Sequence, residues 1–507
     1  MSIVNDVISF FIKRRASRIA DFQAFPIEAQ KDVFDDLIAH GKHTKWGNDH
    51  KLKLIQSISE FQEAVSVSTY EDLYPYIERS LKGERNVLWP TETSWFSVSS
   101  GTTNSRSKYI PVTEESLENC HYRGGKDLLT LYFENHPESE IFDGKGLSIG
   151  GSLRENPFNK QSRVGDVSAV IMENLPTWAQ YVRSPSLEIA LLEKWEEKME
   201  RMIEECSGEN ITSLLGVPTW CVILLENIMK RKGISNMLEI WPNFEVFVHG
   251  AVSFTPYREL FKTEFFPSSS VRYMETYNAS EGFFAIQDIL SSDGEMLLML
   301  DYGIFYEFMP ISEWEKENPK TLTLDEVEIG VNYAMIITTN AGLWRYKIGD
   351  TIRFTNKYPF RLKISGRTKH FINAFGEEVI IENAEAAIEQ ACKNSGATIS
   401  DFTAAPVFMQ KKSKGKHEWI IECLKSPNDE RTFIEALDNT LREVNSDYDA
   451  KRKNNAALQA PKVHFVASGT FYKWMERRGK LGGQNKVPRL SNSREFVEDI
   501  LLMLSQT

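Results

Sequence analysis

The sequence predicts an α/β chain of two domains, and three observations carry that reading. At 507 residues the chain exceeds what one compact core accommodates. From about residue 91, short apolar strands separated by Gly and Ser turns alternate with helices. Beyond 361–370 the pattern restarts as a smaller α+β unit.

The elements follow in order. Residues 1–90 are mostly helical, with segments such as Lys31-Asp32-Val33-Phe34-Asp35-Asp36-Leu37-Ile38 placing apolar residues at helical spacing. Ser186 to Cys206 reads as one amphipathic helix with Leu187, Leu191, Trp195, Met199 and Met202 on a single face. Pro218, after Gly216-Val217, suits the first turn of a helix running towards Lys230. Phe244 to Val248, Met296 to Leu300 and Tyr333 to Thr339 read as strands, the first two buried, in a mixed or parallel sheet. A boundary lies near 361–370. After it come a helix over 381–394, strands near 403–410 and 417–424, and a helix over 430–444. Phe471-Tyr472-Lys473-Trp474 then stands beside a glycine-rich basic loop, Arg477 to Arg489.

Composition excludes several classes. A formal net charge of -12 argues against a general nucleic-acid binder, which needs clustered positive charge to displace counterions. It argues equally against docking on an anionic membrane. The five cysteines are scattered and form no CxxC pair, so neither a disulfide framework nor a zinc site is expected, and a reducing, cytoplasmic setting fits best. Ile3 to Ile12 is apolar, but Lys13-Arg14-Arg15 follows it, the wrong order for a secretory signal. An amphipathic first helix is the simpler reading. No stretch reaches transmembrane length.

Three motifs and one loop carry chemistry. Ser97-Val98-Ser99-Ser100-Gly101-Thr102-Thr103-Asn104-Ser105-Arg106-Ser107-Lys108 gathers hydroxyls and backbone N–H groups after an apolar strand, which suits a phosphate, although such turns also serve as solvated loops. It lacks the GxxxxGK[ST] pattern, which disfavours a P-loop kinase or GTPase. Tyr277-Asn278-Ala279-Ser280-Glu281-Gly282 offers an aromatic face, a hydroxyl and a carboxylate able to hold Mg²⁺, or is simply a strand end with a turn. In Ile337 to Asp350, an Asp after a Gly at the end of an aromatic-basic strand is shaped to accept both ribose hydroxyls; the alternative is a hairpin with a surface Asp. Arg478 to Arg489 gathers positive charge on a backbone whose three glycines allow close approach to an anion, or is a solvated loop.

Taken jointly, Ser99-Ser100-Gly101-Thr102-Thr103…Lys108, Tyr277-Asn278-Ala279-Ser280-Glu281 and Gly342-Leu343-Trp344-Arg345-Tyr346…Gly349-Asp350 resemble the phosphate, adenine/metal and ribose motifs of the adenylate-forming superfamily. Within it the chain is similar to the Gretchen Hagen 3 auxin-responsive family of acyl acid amido synthetases, in a bacterial-type form. Thr69-Tyr70-Glu71-Asp72-Leu73, Gly83-Glu84-Arg85-Asn86-Val87-Leu88-Trp89-Pro90 and Gly479 to Arg489 match as well, so the likeness spans roughly 30–500. Ser105 stands where the pattern often has a glycine, Trp344 where Tyr is usual, and His370 where the superfamily hinge has Asp.

The resemblance implies a large N-terminal adenylation domain with mixed sheets, 1–365, and a smaller mobile C-terminal α+β domain, 366–507, with the active site in the cleft between them. It implies ATP and Mg²⁺, a small carboxylic acid and an amino acid or other amine as partners, and a monomer or weak dimer. Ser99, Ser100, Thr102 and Thr103 would bind phosphate with Lys108 as an aid. Tyr277 would meet adenine, Ser280 the α-phosphate, Glu281 Mg²⁺ and Asp350 the ribose hydroxyls. Lys486 would be catalytic, bridging carboxylate and α-phosphate oxygens. Arg123 and Trp220 are candidates for the acid pocket, with a core or surface role as the other reading. An acyl-CoA ligase shares the first half-reaction, but Gly482-Gly483-Gln484-Asn485-Lys486 matches the amide-forming relatives. A non-catalytic nucleotide-binding regulator would have no reason to keep Glu281 and Lys486.

Overall fold

The structure is a computed structural model that describes residues 15–506, apart from 100–107, 252–253, 315, 317, 368–370, 373, 375–376, 378, 408–414, 454–457, 481–485 and 492. The chain forms two compact units. The first comprises Met1–Ala251, Ser268–Ile348 and Ile352–Ile364; the second comprises Val252–Pro267, Gly349–Thr351 and Ser365–Thr507. The division is therefore not a single cut in the chain, because two short segments from the N-terminal part of the sequence pack with the C-terminal residues.

In the first unit, helices α1 (Ala16–Ala24) and α2 (Pro26–Gly41) open the described chain. Pro26 at the first position of α2 costs no hydrogen bond there. The i, i+3, i+4 set Phe34, Leu37 and Ile38 is buried, with the Phe34 ring 5.4 Å from Phe61 and 5.1 Å from Phe305. Helix α3 (Tyr70–Leu81) starts on a capping box in which Thr69 and Asp72 satisfy each other's backbone N–H groups. A four-stranded sheet has the order β2-β1-β5-β4, from β1 (Trp95–Ser99), β2 (Lys108–Val112), β4 (Leu153–Glu155) and β5 (Arg163–Gly165).

The second, larger sheet contains eleven strands. They are β3 (Lys145–Ser148), β6 (Arg183–Ser184), β7 (Ile211–Gly216), β8 (Val246–Gly250), β9 (Arg272–Ala279), β10 (Gly282–Ile286), β11 (Met296–Leu298), β12 (Ile304–Pro310), β13 (Asn332–Thr339), β14 (Tyr346–Lys357) and β15 (Phe360–Arg367). Their order is β12-β13-β14-β15-β11-β10-β9-β8-β7-β3-β6. The pairs from β6 to β9 are parallel, whereas β9–β10, β10–β11, β11–β15 and β12–β13 are antiparallel. The sheet is thus mixed. Around it stand α4 (Tyr122–Asn135), α5 (Val167–Glu173), α6 (Leu187–Ala190), α7 (Trp195–Cys206) and α8 (Pro218–Lys232).

One expectation fails here. The single helix read over Ser186–Cys206 is two helices, α6 and α7, folded back on each other. The Glu205 carboxylate accepts from the Ser186 N–H and hydroxyl, and the Glu188 carboxylate accepts from Arg201. In a continuous helix Ser186 and Glu205 would be about 28 Å apart. Helix α8 begins at Pro218 as expected.

The second unit places α9 (Ile381–Ser395) and α10 (Glu430–Val444) beside the three-stranded sheet β18-β19-β20, formed by Thr398–Val407, Lys416–Lys425 and Lys462–Ala467. Ahead of them stands the short pair β16 (Phe371–Ile372) and β17 (Val379–Ile380). Helices α11 (Thr470–Arg477) and α12 (Glu495–Ser505) close the chain. Among the described residues, no helix is long and apolar enough to cross a membrane.

Candidate active site

In the first unit the parallel strands β3, β7, β8 and β9 end on one edge of the sheet. The chain moves from β3 outward to β6 and then returns to the other side of β3 as β7. Ligands of open α/β sheets bind outside the carboxyl ends of strands at such a reversal. Tyr277, Ser280 and Glu281 lie at the carboxyl end of β9, where the chain turns into β10. The Ser280 hydroxyl is buried and has no hydrogen-bond partner among the described residues. A buried hydroxyl left unpaired costs about 1–3 kcal/mol, a cost that a bound oxyanion would remove. Glu281 beside it is half-buried. Tyr277, read as the adenine platform, is 4% exposed, with its ring 4.8 Å from that of Phe284.

Helix α4 is seated on this hairpin. A π-turn over Leu117–His121 leads into it, and the Phe283 N–H donates to Cys120 Sγ at 3.1 Å. His121 in the same turn is buried, its Nδ1 has no hydrogen-bond partner among the described residues, and burial pushes its pKa down to about 4. Arg123 lies in the first turn of α4. Its guanidinium donates to the Asp301 carbonyl at 2.6 Å and to Asn119 Oδ1 at 2.7 Å. Trp220 is buried in the first turn of α8, just beyond the carboxyl end of β7.

No sequence pattern singles out Lys198 of α7. It is buried and donates to the carbonyls of Gly150 and Gly151, at 3.0 and 2.8 Å, beyond the carboxyl end of β3. Burial lowers its pKa to about 8. The one signal in the sequence is the Gly150-Gly151 pair directly after a strand.

Ser100, Thr102 and Thr103 lie outside the described residues, as do Ser105, His370 and Gly482 to Asn485, and the same holds for the Ser99 side chain. Lys108, at the other end of the phosphate motif, is described, and it joins the first motif to the third. Its Nζ is 3.3 Å from the Tyr346 hydroxyl and sits over the rings of Tyr70 and Tyr346, at 5.4 and 5.8 Å. Other matching stretches meet there too. The Ser68 N–H donates to Arg345 O and the Lys347 N–H to Ser68 O, both at 2.8 Å, and the Tyr109 N–H donates to the Tyr70 hydroxyl. The Trp344 indole N–H donates to Leu88 O at 3.2 Å. Gly342 adopts φ +83° with Leu88 so close that a Cβ would lie 2.6 Å from it. Trp344 stacks on Trp46 at 4.8 Å and fills the space that Gly41 leaves, which accounts for an indole at this position.

Arg345 holds this assembly. Its guanidinium is buried and donates to both oxygens of Glu307, at 2.9 and 2.8 Å, to Thr321 at 2.7 Å, and to the carbonyls of Gln62 and Val65. Nothing in its sequence context marks it as more than one position of the third motif.

In the second unit Asp350 is 5% exposed and lies inside β14, which runs from Tyr346 to Lys357. The reading of a hairpin with a surface Asp is therefore overturned. The expected strand end is corrected too, because Gly349 takes φ +90° within β14 and Asp350 stands inside that strand. Lys486 is half-buried. Among the described residues, no group of three His, Cys, Asp or Glu side chains could hold a metal ion.

Three family profiles match the chain. The GH3 family N-terminal domain profile matches residues 15–271, the GH3 family central domain 297–367, and the GH3 family C-terminal domain 382–495. Indole-3-acetic acid-amido synthetase GH3.3 of Arabidopsis thaliana is 22% identical over 92% of this chain and 90% of its own length. Jasmonoyl--L-amino acid synthetase GH3.5 of Oryza sativa subsp. japonica is 23% identical over 91% of this chain and 92% of its own. Among solved structures, GH3.15 acyl acid amido synthetase in complex with 2,4-DB superposes with a TM-score of 0.80 at 18% identity, covering 97% of this chain and 96% of that one. 2-Hydroxyisobutyryl-CoA ligase in the postadenylation state superposes with a TM-score of 0.62 at 13% identity, covering 95% and 93%. The fold is that of these adenylate-forming enzymes.

Proposed function

The chain belongs to the GH3 family, and from that membership we infer that it is an acyl acid amido synthetase working through an acyl-adenylate. The acid's carboxylate attacks the α-phosphorus of ATP and expels pyrophosphate. An amine, an amino acid by analogy with the named relatives, then attacks the acyl carbon and expels AMP. The protein supplies positioning and charge neutralisation, not a nucleophile.

The observation that carries this reading is the buried, unpartnered Ser280 hydroxyl beside the Glu281 carboxylate at the carboxyl end of β9. That pair fits a phosphate and its Mg²⁺, because Mg²⁺ takes one or two protein carboxylates and completes its shell with phosphate oxygens and water. In this assignment Ser280 donates to the α-phosphate and Glu281 holds the ion that ATP brings. Tyr277 borders the adenine and Asp350 accepts from the ribose hydroxyls. Ser99, Ser100, Thr102, Thr103 and Lys108 bind phosphate. Lys486 stabilises the charge that builds between the carboxylate and the α-phosphate. Trp220 and His121 are near the acid's expected place at the strand ends, whereas Arg123 serves mainly as a tie to Asp301. The enzyme acts in the cytoplasm as a monomer or weak dimer.

The test is product analysis. Purified protein with Mg²⁺, ATP, a panel of aromatic, indole and fatty acids and pooled amino acids is expected to give AMP, pyrophosphate and an amide conjugate. ADP and phosphate with every acid would overturn the reading. The fold likeness to 2-hydroxyisobutyryl-CoA ligase favours one second reading, thioester formation, and a CoA thioester with no amide from any amine would establish it.

A further inference from the structure

Lys486 stands three residues before a second cation, Arg489. Lys486 is half-buried, and Arg489 is buried within the second unit. Its Nε donates to Asp401 Oδ1 at 3.1 Å, its Nη1 to Glu385 and its Nη2 to the Tyr257 hydroxyl at 3.4 Å. The guanidinium also lies over the Phe402 ring at 5.1 Å. The chain on either side of it is tied down as well. Val487 is buried beside Phe471 and Trp474. The Thr403 hydroxyl donates to Pro488 O at 2.6 Å, the Ala404 N–H to Arg489 O at 2.8 Å, and the Ser491 N–H to Ala404 O at 3.1 Å. Residues 487–491 therefore run along β18 like an added strand, with Arg489 as the pin.

We propose that Arg489, held by Asp401 and Glu385, is a positioning residue that sets where the Lys486 ammonium is delivered. This rests on Lys486 being the adenylation lysine. The geometry favours it for two reasons. Three residues of extended chain span only about 10 Å, so a fixed Arg489 leaves Lys486 a small range of positions. A planar fork holds two carboxylates and a hydroxyl in one fixed geometry, whereas the three donors of a lysine radiate from a single nitrogen that rotates freely. A misplacement of about 1 Å at a reacting centre can cost on the order of a hundredfold in rate.

The experiment is a double-mutant cycle on the full chain, with the two half-reactions measured separately. Arg489→Lys is expected to slow acid-dependent pyrophosphate release about ten- to thirtyfold. The KM for ATP should change less than about twofold, and amide formation from synthetic acyl-adenylate should hold near the wild-type rate. In the Lys486→Ala background, Arg489→Lys should add less than about a twofold loss, because a residue acting through a lysine has nothing left to position. An undiminished further loss in that background, or equal slowing of both half-reactions, overturns the proposal and leaves the lysine assignment standing. If Lys486→Ala alone adenylates at the wild-type rate, the lysine assignment itself fails, and this proposal with it. Should Arg489→Lys not fold, Asp401→Asn, which keeps the shape and removes one charge of the pin, is carried through the same cycle with the same expected and overturning outcomes.

Discussion

Two buried arginines, one in each unit, show how differently the chain uses the same side chain. Arg345 in the first unit meets a single carboxylate, Glu307, through both ends of its fork, and its remaining donors go to Thr321 and to two carbonyls. The pair is neutral overall and every donor is used. Arg489 in the second unit is divided between two carboxylates, Asp401 and Glu385. Burial raises the pKa of Asp401. Directly across the strands from Asp401 is Glu422, also buried and also raised, chiefly by burial, which caps the start of α11 through the Phe471 N–H at 2.6 Å. The balanced pair is a scaffold joint. The divided cluster holds the chain three residues from Lys486, and burial favours the protonated form of its Asp401.

The first unit depends on Arg345. Arg345→Ala strands the Glu307 carboxylate inside the protein, and removing one partner of a buried pair costs about 3–5 kcal/mol. Denaturant unfolding should show a loss of that size. A loss under about 1 kcal/mol would mean that Glu307 is rescued by Gln62 and Thr321, which already donate to it at 3.0 and 2.7 Å.

Asp350 tests the second unit's share of nucleotide binding. Asp350→Asn keeps the shape and removes the charge, so each lost charge-assisted hydrogen bond to a ribose hydroxyl costs about 1.5–3 kcal/mol, a ten- to hundredfold weaker ATP affinity. Calorimetry on folded variant protein measures it. Unchanged affinity would make Asp350 a purely structural residue of β14.

What can be read from the chain alone follows how local each determinant is. Pro218 announces its helix because a proline at the first position is a local preference. Ser280 and Glu281 stand out because their stretch resembles a known motif. By contrast, the 186–206 periodicity is sound, yet the chain breaks at 191–194 because Ser186 bonds Glu205, a tertiary choice that no window reveals. Gly349-Asp350 reads as the end of a strand, whereas here Gly349 takes φ +90° inside β14. Arg345 and Glu307 are 38 residues apart, and Arg489 and Glu385 are 104, so neither partnership has a sequence signal. Nor does Lys198, whose ammonium is taken up by the carbonyls of Gly150 and Gly151, 48 and 47 residues away.

Buried titratable groups in the two units are displaced with opposite consequences for stability in acid. His121 in the first unit has its pKa pushed down to about 4 by burial, against an ordinary value near 6.5. Between these values the unfolded chain holds a proton that the folded chain does not. Its contribution to stability is therefore complete above pH 6.5 and is lost as the pH falls towards 4. Asp401 in the second unit is displaced the other way. With its pKa raised by burial, the folded chain holds the proton just above pH 3.8, so its contribution is complete below that value and is lost as the pH rises through the raised pKa. Acid should weaken the first unit at His121 and relieve the second at Asp401. From pH 7 to 5.5, His121 alone should cost about 1 kcal/mol. His121→Gln removes the titrating group, so its stability should fall by about 1 kcal/mol less than the wild type's over that interval, as measured by urea unfolding at both pH values. Asp401→Asn leaves His121 untouched and should keep the fall in stability that His121 causes. If His121→Gln keeps the full wild-type slope, the acid sensitivity of the first unit comes from another group and the contrast between the units rests on the arginines alone.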